Sequence, residues 1–158
     1  MELKQDGVFT PVADASNQRG FTLIEVMIVI VIIGVVSSIA IPAFSEWRDK
    51  QAVRSASPTL MSHLKQARVI AIAENRGVTI DFTSTTTYTY DTGVCGTCKN
   101  LQVNLNQYGN VVFNPAPADR TFTSRGTVKN LSADTMMTLQ AGSASKTITL
   151  NLLGRVYY

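Results

Sequence analysis

Histidine is almost absent from this chain: His63 is the only one in 158 residues. Cysteine is nearly as scarce, with Cys95 and Cys98 standing alone, and no second pair is present to complete a tetrahedral zinc site. There is no Gly-x-Ser-x-Gly elbow, no phosphate-cradling glycine loop and no obvious pair of carboxylates. The residue groupings that run acyl transfer, phosphoryl transfer or acid–base chemistry are therefore missing, which predicts a protein that is not an enzyme and holds no metal or cofactor. Charge is sparse as well, at 16% of residues with a formal balance of +3, mildly basic rather than a nucleic-acid footprint in itself. Internal repeats are lacking, and the threonine-rich run from Thr83 to Thr89 comes closest to a low-complexity tract.

The most informative absence is local. From Phe21 to Phe44 the only charged side chain is Glu25. Two dozen helical residues at about 1.5 Å each reach about 35 Å, enough to cross a hydrocarbon core of about 30 Å. A carboxylate at the centre of such a span costs on the order of 2.5–3.5 kcal/mol, less near an interface, so Glu25 calls for a functional reading with a cation as its partner. The bland alternative is a carboxylate that snorkels to the headgroups from the first turn, where it also suits the helix dipole. Trp47, just past the span, reads as an interfacial anchor, or else as a core residue.

Residues 1–20 are polar, carry Lys4 and Arg19 against Glu2, Asp6 and Asp14, and have no apolar core. The apolar segment that follows has no Ala-x-Ala site after it, so this is not a Sec-type signal peptide. Arg48, Lys50 and Arg54 follow the span closely, so positive charge alone does not set its orientation. The string Arg19-Gly20-Phe21-Thr22-Leu23-Ile24-Glu25 resembles a type IV prepilin, and Pro42 matches that family's proline in the lower part of the helix. The resemblance implies that a membrane-bound prepilin peptidase removes the leader 1–20 by cutting between Gly20 and Phe21 on the cytoplasmic side and methylates the new amine of Phe21. It implies, too, a single-pass inner-membrane protein with its head in the periplasm, which passes into a pilus or pseudopilus. In that setting Glu25 of one subunit neutralises the Phe21 amine of its neighbour inside a bundle of apolar helices, so that a buried ion pair sets register.

Beyond the span, residues 45–77 carry Val53, Ala56, Leu60, Leu64, Ala67 and Ala71 at intervals of three or four, the stripe of an amphipathic helix. Pro58 predicts a kink, or a restart with Ser57 as N-cap, and Gly77 is expected to end the helix. From Val78 the period changes to two. Val78, Ile80 and Phe82 alternate, as do Leu101, Val103 and Leu105, then Ile148, Leu150 and Leu152, with shorter runs at 87–90, 111–113, 120–123 and 136–139. Turn signals at 91–93, 108–110, 114–117, 125–126 and 141–143 separate them. The fold class predicted is α+β and pilin-like: a long N-terminal helix, transmembrane over 21–44 and amphipathic over 45–77, packed against an antiparallel β head over 78–158. About 114 residues follow Phe44, enough for one small domain with its own core.

Within prepilins, Leu64-Lys-Gln-Ala67-Arg68 through Asn75 to Phe82, Phe122-Thr-Ser-Arg125-Gly126 and Leu153-Gly154-Arg155 resemble the FimT/GspH group of minor pilins and pseudopilins. This implies a minor pilin that assembles with other pilin subunits through its N-terminal helix, or a GspH-like pseudopilin of a type II secretion system. Some members of the group are associated with DNA binding through a basic C-terminal Gly-Arg-x-Arg-like tail. Here Arg155 is kept but Tyr157 stands where a second arginine would, so a DNA contact by Arg155, Tyr157 and Tyr158 competes with a plain last strand whose aromatics cover the sheet. Cys95 and Cys98 form a Cys-Gly-Thr-Cys that reads as a small disulfide, a redox pair or half a metal site; an extracytoplasmic head favours the disulfide.

Overall fold

The computed structural model describes residues 20–92, 100–129, 131 and 133–158. The residues before Gly20, expected to be a leader, and the disulfide expected between Cys95 and Cys98 lie outside the described residues. Helix α1 runs from Leu23 to Ala73, and by internal contacts the chain divides into two units, Met1–Ser38 and Ile39–Tyr158.

In the first unit α1 opens on Thr22, whose hydroxyl accepts a hydrogen bond from the backbone N–H of Glu25 at 3.2 Å. Thr22 and Glu25 thus occupy the N-cap and N3 positions, with Leu23 as the first helical residue. The apolar side chains that follow are exposed throughout, Leu23 at 78% and Ile30 at 62%, because aliphatic residues on every side of a helix leave no polar face to turn outward.

In the second unit α1 buries Ala52, Val53, Ala56, Ser57, Leu60, Leu64, Ala67 and Ala71, the predicted stripe in full. Of the kink or restart expected at Pro58, the restart does not occur: the helix continues through both Pro42 and Pro58. Ser57 caps nothing; its hydroxyl donates to the Val53 carbonyl one turn back at 2.6 Å, which satisfies a buried polar group without breaking the helix. Nor does Gly77 end it. The helix stops at Ala73, Asn75 takes the left-handed conformation (φ 50°), and the N–H groups of Asn75 and Arg76 reach back to the carbonyls of Ile72 and Ala71. That 5→2 and 6→1 pair is a Schellman motif, with Asn75 in the place glycine usually takes.

Two four-stranded antiparallel sheets pack on this stripe. The first comprises β1 (Val78–Asp81), β2 (Thr87–Tyr90), β3 (Leu101–Asn104) and β5 (Arg120–Phe122) in the order β3-β2-β1-β5. The second comprises β4 (Val112–Phe113), β6 (Thr135–Ala141), β7 (Ala144–Leu150) and β8 (Val156–Tyr157) in the order β4-β6-β7-β8. Alternation sends Val78, Ile80, Tyr88, Met137, Leu139, Ile148 and Leu150 inward to Leu60 and Leu64, all fully buried. Two residues leave the predicted alternation. Leu105 begins a 3-10 turn over Leu105–Tyr108 but stays buried, and Leu152 lies in the turn after β7 at 42% exposure, since that strand has already ended at Leu150.

Candidate functional site

Two places in the chain carry the residues singled out by the sequence, one in each unit. At the start of α1, Phe21, Glu25, Val26 and Val29 line a cavity of about 230 Å³. Phe21 and Val26 lie at the same end of the helix as the carboxylate, so Glu25 is an isolated charge among exposed apolar side chains. Its position at N3, where the first backbone N–H groups have no helical partner, favours a negative charge. The capping pattern Thr-x-x-Glu was legible in the sequence and the sequence reading passed over it. Gly20 is exposed, and a Cβ added there would meet nothing within 4 Å. Pro42 sits within α1 in an exposed stretch.

The second place is in the head, where three separated sequence signals meet. Arg68 projects from α1 and donates from Nε to the carbonyl oxygen of Gly126 at 3.0 Å. Gly126 (φ 76°) turns the chain after β5, and Gly154 (φ 71°) turns it before β8. Both turns press against the same arginine. A Cβ on Gly126 would lie 2.7 Å from Ile72 Cδ1 and 3.1 Å from Arg68 Nε, and a Cβ on Gly154 would lie 3.0 Å from Arg68 Nε and run into the carbonyl oxygen of Gly126. Arg68, Gly126 and Gly154, one residue from each of the three sequence signals, therefore form one structural node, in which glycine supplies both the left-handed backbone and the space.

Beside this node opens a groove of about 500 Å³ lined by Lys65, Arg68, Val69 and Ile72 of α1 and by Gly154 to Tyr157. The helical residues stand at i, i+3, i+4 and i+7, one face of α1. Arg155 is held at its backbone by the turn: Asn151 N–H donates to its carbonyl at 3.0 Å, and its own N–H donates to Asn151 Oδ1 at 2.8 Å, while the side chain stays exposed. The two aromatic residues of the tail have internal partners. Tyr157 donates its phenol to Asp134 Oδ2 at 2.8 Å, and this hydrogen bond to a carboxylate pushes its pKa up. Tyr158 lies under Lys146, whose Nζ is 3.4 Å from the ring centroid.

His63 is held away from this groove by tyrosines of β2. Its Nδ1 is 2.8 Å from the Tyr88 hydroxyl and its ring stacks on Tyr90 at 4.5 Å between centroids. Burial lowers the His63 pKa, and burial raises that of Tyr88. At the end of α1, Arg76 bridges Glu74, at 2.5 Å from Nε, and Asp91 at the end of β2; these hydrogen bonds, Asp91 first, raise the pKa of the guanidinium. Among the described residues no group of three histidine, cysteine or acidic side chains is placed to hold a metal ion. Trp47 is exposed at 59% and stacks on Phe44 at 5.7 Å, so the core-packing reading of it does not hold.

Comparison with known proteins gives the family of the chain. Residues 15–41 match the prokaryotic N-terminal methylation motif, and residues 56–154 match the family described as type II transport protein GspH. A fimbrial protein of Pseudomonas aeruginosa is 39% identical over 101 residues, 60% of this chain; the chain spans 64% of that relative's length. A type IV major alpha-pilin of Moraxella bovis is 49% identical over 43 residues, 27% of each chain. Among solved structures, the type IV minor pilin FimU of Pseudomonas aeruginosa superimposes with a TM-score of 0.54 at 18% identity, over 66% of this chain and 86% of that one, a likeness of fold. With the GspH model matched across most of the chain, a prepilin methylation motif ahead of it and the pilin fold beneath both, this chain belongs to the GspH family of type IV pilin-like proteins.

Proposed function

We propose that this chain is a prepilin of the inner membrane, cut between Gly20 and Phe21, methylated on Phe21, and incorporated into a type IV pilus as a minor subunit with its head in the periplasm. The observation that carries the reading is the first unit of the structure: an apolar helix exposed on all sides, whose lone carboxylate sits one turn from the residue that cleavage would make the N-terminus. An aliphatic helix exposed in this way gains from lipid or from like helices, and Glu25 gains from a neighbour's amine in a medium where either charge alone is costly. Partners on this reading are the prepilin peptidase and other pilin subunits. The names of the fimbrial and pilin relatives support the pilus over other destinations.

The match over residues 56–154 supports a second reading, a pseudopilin of a type II secretion system, since that is the description its family carries. Both readings use the same helix, and the filament with which the chain co-purifies separates them. A DNA contact by Arg155, Tyr157 and Tyr158 has less support, because both tyrosines have intramolecular partners and β8 is paired into its sheet.

The test is Glu25→Ala. The variant should insert and be cleaved like the wild type yet be depleted from sheared filaments, and incorporation at the wild-type level would sink the proposal.

A further inference from the structure

The groove beside the Arg68 node has a floor and a rim of different chemistry. Val69, Ile72 and Val156 supply aliphatic surface, with Val69 exposed at 62% and Ile72 at 48%, values more usual for surfaces awaiting a partner when they fall side by side. Lys65, Arg68 and Arg155 supply the rim, and no acidic residue lines it. Among the described residues none of these three cations has a carboxylate within ion-pair distance, whereas Lys50 and Arg76 do. Arg68 spends its Nε on Gly126, which fixes the plane of the guanidinium and leaves its terminal nitrogens for an incoming anion. Arg155 is set on a backbone pinned at both its N–H and its carbonyl.

We infer that this groove docks an acidic segment of another polypeptide, one that places an aliphatic side chain on Val69 and Ile72 and carboxylates against Lys65, Arg68 and Arg155. The inference rests on the filament-subunit reading for the identity of the partner, a neighbouring subunit's head, but its chemistry is independent of that reading. A carboxylate-bearing chain fits better than a nucleic acid for two reasons on this surface. Single strands are held by aromatic platforms on which bases stack, and the floor here is aliphatic. The one aromatic residue in the lining, Tyr157, is tied by its phenol to Asp134, and a single tethered ring makes no platform for successive bases. Three cations around an apolar floor also give the mixed recognition typical of protein contacts, in which buried aliphatic area supplies affinity and charge complementarity supplies orientation and rate.

The experiment uses the full chain in detergent and fluorescence anisotropy with two probes: a labelled acetyl-Leu-Asp-Glu-Leu-Asp-Leu-amide peptide, and a labelled oligothymidine of about the same length, each through a salt series. The peptide is expected to bind saturably and more weakly as salt rises, and its Asn/Gln counterpart to bind at least about tenfold more weakly. Arg155→Glu should weaken the acidic peptide by a similar factor, whereas Arg54→Glu, the same charge change at a residue of α1 that lines a separate cavity with Lys50 and Lys146, should leave it within about twofold. Val69→Gln, an exposed position where folding is undisturbed, should weaken the peptide as well, which a purely electrostatic site would not do. Tighter binding of the oligothymidine than of the peptide would overturn the inference in favour of a nucleic-acid groove. Equal loss in Arg155→Glu and Arg54→Glu would overturn it in favour of net charge, and no binding of either probe would overturn it outright. Because binding is read on the isolated chain, failure here leaves filament entry by wild-type protein unaffected, and failure of filament entry leaves this binding unaffected.

Discussion

Gly154→Ala tests the Arg68 node directly. The residue sits at φ 71°, a left-handed conformation that costs an L-residue roughly 1–2 kcal/mol. An added methyl would also drive into the carbonyl oxygen of Gly126 and come within 3.0 Å of Arg68 Nε. The arginine can swing aside, but the carbonyl belongs to a backbone held by Gly126 N–H to Thr123 O and by Arg68 itself, so relief requires moving a turn. Overpacking of that kind costs about 1–3 kcal/mol, and the two terms together come to about 2–5 kcal/mol. For a unit of this size, Ile39–Tyr158, one kcal/mol is worth about 4 °C, so the melting temperature should fall by roughly 8–20 °C. The assay is near-UV circular dichroism of the full chain in detergent, which reads the buried tyrosines, with Gly77→Ala as control. At Gly77 a Cβ would meet nothing nearer than 3.6 Å and the backbone is not left-handed. The double variant Arg68→Ala/Gly154→Ala should remain destabilised, because the carbonyl is still in the way. Melting of Gly154→Ala within about 2 °C of the control, or full recovery in the double variant, would refute the reasoning.

Leu64→Ala removes a fully buried side chain from the core face of α1 and should cost about 2–5 kcal/mol, read as a lower urea midpoint with unchanged slope; a loss below about 1 kcal/mol would mean that the core closes over the gap. His63 is pushed below its ordinary pKa by burial, so the unfolded chain binds the proton more readily: the stability it contributes is complete above about pH 6.5 and is lost as the pH falls below that value. Wild-type melting temperature should therefore drop between about pH 7.5 and pH 5 by more than that of His63→Gln, and parallel profiles would show the histidine to be silent. Cys95 and Cys98 are expected to resist thiol reagents in protein taken from the envelope without reductant. The double Cys→Ser chain should melt only modestly lower, since so short a ring restrains the unfolded chain less than the roughly 3 kcal/mol of a 15-residue loop, and ready labelling of both thiols would exclude the disulfide.

Local signals in the sequence reached far into this structure because each was strong where it stood. An uninterrupted apolar run can form only one kind of element, and the buried face of α1 followed from the three-four spacing of Val53 to Ala71. The strands of the head followed from period-two alternation, and the glycine turns at Gly126 and Gly142 from the residues that tolerate positive φ. Where local signals competed, the structure departs from a restart at Pro58 and from a stop at Gly77. Pro58 has an unfavourable backbone, yet the helix passes through it because the buried stripe on either side holds both halves to one core, and Asn75 rather than Gly77 ends the helix because a Schellman turn completes its hydrogen bonds first. What no local pattern contained was the meeting of Arg68, Gly126 and Gly154. These residues are 58 and 28 positions apart along the chain, and only the packing of two sheets on one helix brings the turn after β5 and the turn before β8 to the same guanidinium. Tertiary structure likewise decided that Tyr157 and Tyr158 are occupied with Asp134 and Lys146 rather than free to stack, because hydrogen bonds and ring contacts between distant residues depend on strand register, which alternation along one strand does not specify.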